Sequence, residues 1–340
     1  MTISAARRRA SIADVARVAG VSVGTVSNVL NRPERVLPAT RERVEAAIEE
    51  LAFVRNGSAR QLRAGTITTV GAIVLDIANP FFTDVARGIE ARLERDDYTV
   101  MVASSDDDPV REHRYLRLFE EHGVQGVMVV PATDDISHLL SLRERGVGVV
   151  LLDRPSPVAD LSSVAVDDVH GGELAARHLL EQGHTRIAFL NGPHAIRQCA
   201  DRHVGVVRAL EEAGLDPAEA LVEVTVPSLN ADGGEAGIRT LLARGDRPTA
   251  VFCVNDLTAL GALRTLRREG IVVPDEVALV GYDDVTFAAE LATPLTSVRQ
   301  PTHQLGETAA DILLRGRDVP AEQVVFQPEL VVRASSLSPG

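Results

Sequence analysis

The sequence predicts a small all-α head followed by a two-lobed α/β core built on two doubly wound parallel sheets, and three observations carry that prediction. Residues 11–51 hold three short helical patterns, the first two separated by a glycine turn. Beyond residue 67, seven apolar runs alternate with amphipathic helical segments. The charge is also divided. Residues 1–63 hold 11 Arg against 6 Asp plus Glu, a balance of +5, whereas the remaining residues hold 24 Arg against 42 acids, a balance of −18. A basic head on an acidic body confines contact with an acidic polymer to the N-terminus.

The chain has 340 residues, 45% of them hydrophobic, enough for two or three domains with a sizeable core. Its net charge of −13 argues against a protein that coats nucleic acid over its whole surface. Every basic residue is Arg, a feature that genomic base composition explains as well as selection does. Two cysteines, Cys199 and Cys253, are too few for a disulfide framework and have no metal-ligand spacing. A reducing, cytoplasmic setting is expected. The start MTISAARRRAS (residues 1–10 read as a basic tail) lacks an apolar run, and no segment approaches 18 uninterrupted apolar residues, so neither export nor a membrane is expected.

In order along the chain, Ser11 caps IADVARVAG, whose Ile12, Val15, Ala16 and Ala19 fall at helical spacing before Gly20. Ser22 caps the next helix, where Val26, Val29 and Leu30 share a face. A third helix opens at Pro38 and presents Val44, Ala47, Ile48 and Leu51 to the same bundle. Residues 11–55 are thus read as a helix-turn-helix domain. Residues 56–65, NGSARQLRAG, are polar and Arg-rich: a flexible spacer, or a hinge that becomes helical on DNA with Leu62 as a minor-groove wedge and Arg60 and Arg63 beside phosphates. TVGAIVL, YTVMVAS, GVMVVP, GVVLLD, RIAFLNG, AVFCVND and VALVGYD are the strands. Runs this apolar are buried on both faces, and seven of them favour two sheets with a ligand cleft between.

On DNA, the second helix enters the major groove. Ser22, Thr25, Ser27 and Asn28 are its polar contacts, with Asn28 able to pair bidentately with adenine. Asn31 closes the same helix, and Asn56 opens the linker; both join the candidate DNA set. Val23 and Gly24, at the front of that helix, offer only a methyl contact and a close backbone approach, which predicts weak base discrimination beneath them. In the core, polar residues recur at the C-terminal ends of strands: Asp76, Asn79, Asp153, Arg154, Asn255, Asp256 and Asp283. Such a mixture suits a hydroxylated ligand such as a sugar. Phe81 and Phe82 read equally as core or as a stacking surface for a ring.

Other features are set aside. Asp106 to Asp108 read as a solvated loop, because three adjacent acids lack cation-loop spacing. Nine scattered histidines without HExxH spacing argue against zinc, and no cofactor loop, Walker sequence or nucleophile elbow is present. No cofactor and no enzyme activity are expected.

IADVARVAGVSVGTVSNVLN with TRERVEAAIEELAFVRN resembles the DNA-binding head of the lactose and galactose repressor (LacI/GalR) family of bacterial transcription regulators. VGAIVLDIANPFF, LLDRP, ELAARHLLEQGHTRIAFLNGP, DRHVGVVRALEEAGL, RPTAVFCVNDLTALGAL, VPDEVALVGYDD and PLTSVRQP follow in the family's order, from about Ile12 to Arg333. The resemblance implies a periplasmic-binding-protein-like core crossed three times by the chain, with one lobe at 67–164 plus 297–324 and the other at 165–296 plus 325–335. It implies a homodimer on a pseudo-palindromic operator, a hinge helix with Leu62 in the minor groove, and an allosteric effector. Effector residues implied are Asp76, the Asn79 to Phe82 loop, Asp153, Arg154, Arg202, Asn255 and Asp283, with Arg202 holding ligand hydroxyls or a carboxylate. Leu229 stands where some sugar-binding members place an aromatic ring. The leucine heptads that make some members tetramers are missing. A ligand-responsive repressor is therefore the leading reading; a sugar-binding receptor without DNA regulation fits the body but not the basic head.

Overall fold

A computed structural model describes residues 10–53, 68–245, 248–317 and 319–337. The chain divides into two compact units, residues 1–67 and 68–340. The tail at 1–9 and the linker residues Asn56, Arg60, Leu62 and Arg63 lie outside the described residues.

In the head, α1 (Ile12–Ala19), α2 (Val23–Asn31) and α3 (Pro38–Glu50) pack around Val15, Val26 and Val44, each fully buried. Local chemistry sets the boundaries. Ser11 and Asp14 form a reciprocal capping box, Gly20 ends α1 in the left-handed region at φ 63°, and the Ser22 side chain accepts the Thr25 amide to start α2. Ile48 and Leu51 pack only half-buried at the edge of this cluster.

The core unit holds two six-stranded sheets. The first is built from β1 (Thr69–Val74), β2 (Thr99–Ser104), β3 (Gly126–Val129), β4 (Gly148–Leu152), β5 (Ser162–Val166) and β11 (Gln323–Phe326), in the order β11-β5-β4-β3-β1-β2 and parallel throughout. The second contains β6 (Ile187–Asn191), β7 (Leu221–Thr225), β8 (Ala250–Cys253), β9 (Ala278–Asp283), β10 (Thr296–Arg299) and β12 (Glu329–Val331), in the order β12-β10-β9-β8-β6-β7. The two sheets are parallel as expected except at one edge, where β12 runs antiparallel to β10. The lobe boundaries also move. β5 extends to Val166 in the first sheet, β10 to Arg299 in the second, and β11 to Phe326 in the first, so the chain crosses two to three residues later than expected each time.

Each sheet is covered on both faces, by α4 (Pro80–Glu94), α5 (Pro109–Glu121), α6 (Ser137–Glu144) and α12 (Thr302–Leu314) for the first and α7 (Asp168–Glu181), α8 (Arg197–Glu212), α9 (Pro217–Ala220), α10 (Ala231–Ala243) and α11 (Asp256–Arg268) for the second. This sandwiching is why the strands read as unbroken apolar runs. α7 and α8 cross at glycines: a Cβ on Gly172 would lie 2.2 Å from the Arg202 carbonyl oxygen, and one on Gly205 would lie 2.0 Å from that of Val169. Only hydrogen fits at those points. Gly88 and Gly306 make the same crossing between α4 and α12 in the first lobe.

Candidate effector cleft and DNA-reading helix

The cleft between the lobes encloses about 660 Å³, within the range of small-molecule sites. Its walls are loops at the C-terminal ends of strands, where open parallel sheets present ligand-binding groups. From the first lobe come Asp76, Asn79, Phe81, Phe82 and Asp153; from the second come Arg202, Leu229, Asn255 and Asp283.

Helix capping fixes several of these side chains. Asn79 accepts the Phe81 amide at 3.0 Å to start α4, and Asn255 accepts the Thr258 amide at 2.8 Å to start α11 while donating to the Leu229 carbonyl at 2.9 Å. Asp153 and Asp283 adopt positive φ, 56° and 99°, at the ends of their strands, and both line the cleft. Two amide–carboxylate contacts span the cleft. Gln198 Nε2 donates to the backbone oxygen and Oδ2 of Asp153, both at 2.7 Å, and Asn79 Nδ2 reaches Asp283 Oδ2 at 3.4 Å. Asp153 Oδ1 is buried without a partner, a polar atom left for a ligand to meet.

Arg202 lines the cleft, yet most of its guanidinium is committed. Nε donates to Asp168 Oδ1 at 2.8 Å and Nη1 to the Val254 carbonyl at 2.6 Å, and the group lies 3.5 Å over the Tyr282 ring, whose hydroxyl also reaches Asp168 at 3.0 Å. Burial works against the Arg202 charge, but the adjacent Asp168 raises its pKa above the ordinary value. Burial pushes the Asp283 carboxyl up to about 6, against the pull of Arg202, Asn79 and Gln300. Burial and nearby Asp168 likewise push Asp153 well above the usual carboxylate range.

Several readings change. Arg154 does not line the cleft; it donates to the Thr133 carbonyl and Asp134 Oδ1, each at 2.9 Å, because neighbouring side chains at a strand end leave in opposite directions and Asp153 takes the cleft side. Asp256 also stays out of it, accepting from Ser297 Oγ at 2.7 Å and from the Val285 amide at 2.9 Å. Asp106 and Asp107 are exposed, as a solvated loop implies, but they have a second role. Both line the cleft, in left-handed backbone at φ 52° and 56°, and burial together with Asp76 and Asp106 raises the Asp107 pKa. Gln198, a cleft residue, carried no strand-end signal and went unseen. Phe81 and Phe82 are buried in the first-lobe core, their rings 4.9 Å apart edge to face, and each also borders the cleft.

In the head, Ser22, Val23 and Gly24 lie at the start of α2, with Val23 at 42% exposure. Ser22 Oγ lies 2.9 Å from Thr25 Oγ1, and Asn31 Nδ2 donates to the Ser27 carbonyl at 2.8 Å, while Asn28 is exposed. No helix among the described residues is long and apolar enough to cross a membrane.

A two-lobed ligand-binding core on a chain with a helix-turn-helix head defines a ligand-responsive DNA-binding regulator. Family models agree: residues 11–56 match bacterial regulatory proteins of the lacI family, and residues 176–336 match a periplasmic binding protein-like domain. The chain is 34% identical over 332 residues to the HTH-type transcriptional repressor PurR of Photobacterium profundum, covering 96% of this chain and 98% of that one. It is equally 34% identical over 334 residues to the HTH-type transcriptional regulator DegA of Bacillus subtilis, covering 96% and 98%. Among solved structures, the regulator CelR in complex with cellobiose aligns with TM-score 0.71 at 33% identity over 96% of this chain and 100% of that one. The lac repressor dimer bound to operator and the anti-inducer ONPF aligns with TM-score 0.78 at 28% identity over 97% and 100%. The chain belongs to the lacI family of transcription regulators, and the relatives named here are regulators of transcription, not enzymes.

Proposed function

We propose that this regulator is a homodimeric repressor whose effector is a neutral polyhydroxylated molecule of the sugar class. The observation that carries the choice of ligand is the acidic lining of the cleft: five aspartates, Asp76, Asp106, Asp107, Asp153 and Asp283, border it, with Asp106 paired to Arg111 and burial favouring the neutral form of Asp153, against one lining arginine already paired with Asp168. A carboxylate or phosphate ligand would meet repulsion there, with no uncommitted cation among the described lining residues to offset it. Hydroxyl groups both donate and accept, so they suit ionised and protonated carboxyls alike, and the unpartnered Asp153 Oδ1 is one such group. Phe81 and Phe82 offer the apolar face of a ring something to pack on. Two relatives in fold support the class, the CelR structure with cellobiose and an Enterococcus faecium family regulator with bound ribose.

On the DNA side, Ser22 and Thr25 hold phosphates, Ser27, Asn28 and Asn31 face the groove, and the 56–65 linker, with Asn56, Arg60, Leu62 and Arg63, serves as the minor-groove hinge of each protomer on a pseudo-palindromic operator. Effector binding between the lobes changes their relative pose and thereby operator affinity, a coupling on the order of 1–3 kcal/mol.

A thermal-shift panel of neutral mono- and disaccharides beside sugar phosphates, sugar acids and amino sugars, followed by operator binding with each hit, tests this reading. Stabilisation by a neutral saccharide that also changes operator affinity is expected, with little dependence on salt. Stabilisation confined to anionic ligands overturns the ligand class; binding that weakens steeply with salt points to a cation instead.

A further inference from the structure

Away from the cleft, three side chains distant in sequence converge beside β7, the edge strand of the second sheet. His194 follows β6, His203 sits on α8 and Glu223 on β7, and one donor atom from each lies within 4.8 Å of the others. His194 Nε2 is 2.8 Å from Glu223 Oε1, His203 Nδ1 is 3.3 Å from the same oxygen, and the imidazole centroids are 4.7 Å apart. His203 Nδ1 is buried, and its 3.3 Å approach to the carboxylate is long and poorly aligned for a hydrogen bond. Asn191 Nδ2 steadies the group from behind, donating to Glu223 Oε1 at 2.7 Å and to the Cys199 carbonyl at 3.1 Å.

Two imidazoles and one carboxylate form the donor set of borderline divalent metals, whereas calcium and magnesium prefer all-oxygen cages. Metal–ligand bonds of about 2.1 Å in tetrahedral geometry separate ligand atoms by roughly 3.4 Å. The two distances to Glu223 lie near that spacing already, and His194, whose side chain is 48% exposed, is placed to close the remainder. An Asn191 amide fixing the carboxylate is the outer-shell support such sites use. We propose that His194, His203 and Glu223 form a binding site for a zinc-class divalent ion, one per protomer, with water completing the coordination.

The position gives the site a consequence for the cleft. His194 lies between Pro193 and Ile196, and His203 adjoins Arg202, all three cleft-lining residues. A bound ion therefore clasps the loop after β6 to the first turns of α8, the wall that carries Arg202.

The test uses untagged full-length protein stripped with a chelator and then dialysed free of it. Calorimetric titration with Zn²⁺ is expected to show one ion per protomer, and Co²⁺ in its place should give the intense visible absorption of tetrahedral coordination. His194→Gln and His203→Gln should each weaken binding about tenfold or more. Zn²⁺ should raise the melting temperature of the wild type clearly more than that of either variant. His194→Gln, at a half-exposed position, secures a folded variant. Absence of uptake by the stripped wild type, or equal affinity in both variants, overturns the site.

Discussion

Arg202 and Asp168 form an ion pair sealed between α7 and α8, 2.8 Å from Nε to Oδ1, with side chains only 7% and 5% exposed. An arginine that lines the cleft is thus also a structural counter-charge. Removing it leaves Asp168 buried without its partner, which typically costs about 3–5 kcal/mol. Arg202→Ala is therefore expected to lower core stability by that amount in urea unfolding, and to reduce operator occupancy through loss of folded protein. The Asp168→Ala/Arg202→Ala double variant should lose clearly less than the sum of the singles; additive losses would show that the two side chains do not depend on each other.

Asp283 gives the core a defined pH dependence. Its carboxyl titrates at about 6 in the folded chain against 3.8 when unperturbed. Between those values the native state retains a proton that the unfolded chain has released, so this group's contribution is complete below about pH 4 and is lost as pH rises to 6. The loss is on the order of 3 kcal/mol. Subtracting the Asp283→Asn profile from the wild-type profile of unfolding free energy against pH should isolate a falling step in that window. A rising step would contradict the burial assigned to Asp283. Effector affinity should move oppositely, strengthening above pH 6 as the carboxylate becomes a better acceptor of ligand hydroxyls.

Gly205→Ala tests the helix crossing. The added methyl would lie 2.0 Å from the Val169 carbonyl oxygen, which α7 cannot withdraw without shifting as a whole. Overpacking of this kind costs roughly 1–3 kcal/mol or more. A lower urea midpoint with weaker effector binding is expected; an unchanged midpoint would mean that the helices separate freely.

Operator choice is testable at the front of α2. Val23 is 42% exposed, and a Cβ on Gly24 would meet nothing closer than Ser22 Oγ at 3.6 Å, so both positions accept larger side chains without disturbing the head. Binding-site selection on the wild type should return near-random bases beneath them. Val23→Gln should impose a base preference of about 1–3 kcal/mol there while leaving the circular dichroism and melting of the head unchanged. A strong hydrogen-bond-type preference in the wild type would show that other side chains read those bases.

The sequence made some of the cleft readable and hid the rest for physical reasons. Asn79, Asp153, Asn255 and Asp283 stand where an apolar run stops, at caps and turns with local signatures. Asp106 and Asp107 stand at the end of β2, and their place in the cleft follows from the pairing of β2 with β1, which puts Ser104 opposite Val74. Spacing along the chain does not encode that pairing. Gln198 looks inward from a helix, and His194, His203 and Glu223 meet only because β6 and β7 are neighbours. The strands without a clear apolar run, β5, β7, β10, β11 and β12, are three to five residues long and carry Ser, Thr, Glu, Gln or Arg among their apolar positions, which blurs the period.

The glycine crossing at Gly172 and Gly205 divides the second lobe, for an engineer, into a fixed chassis and an interchangeable lining. The Arg202 carbonyl occupies space that any side chain at 172 would claim, so the arginine's location is inherited from an omission elsewhere in the chain. Libraries aimed at a new effector should hold 172, 205 and the Asp168–Arg202–Tyr282 trio constant. Diversity belongs at Pro193, Ile196, Ser228, Leu229 and Asn230, which border the same cleft from loops and a helix end that can change shape without moving the scaffold.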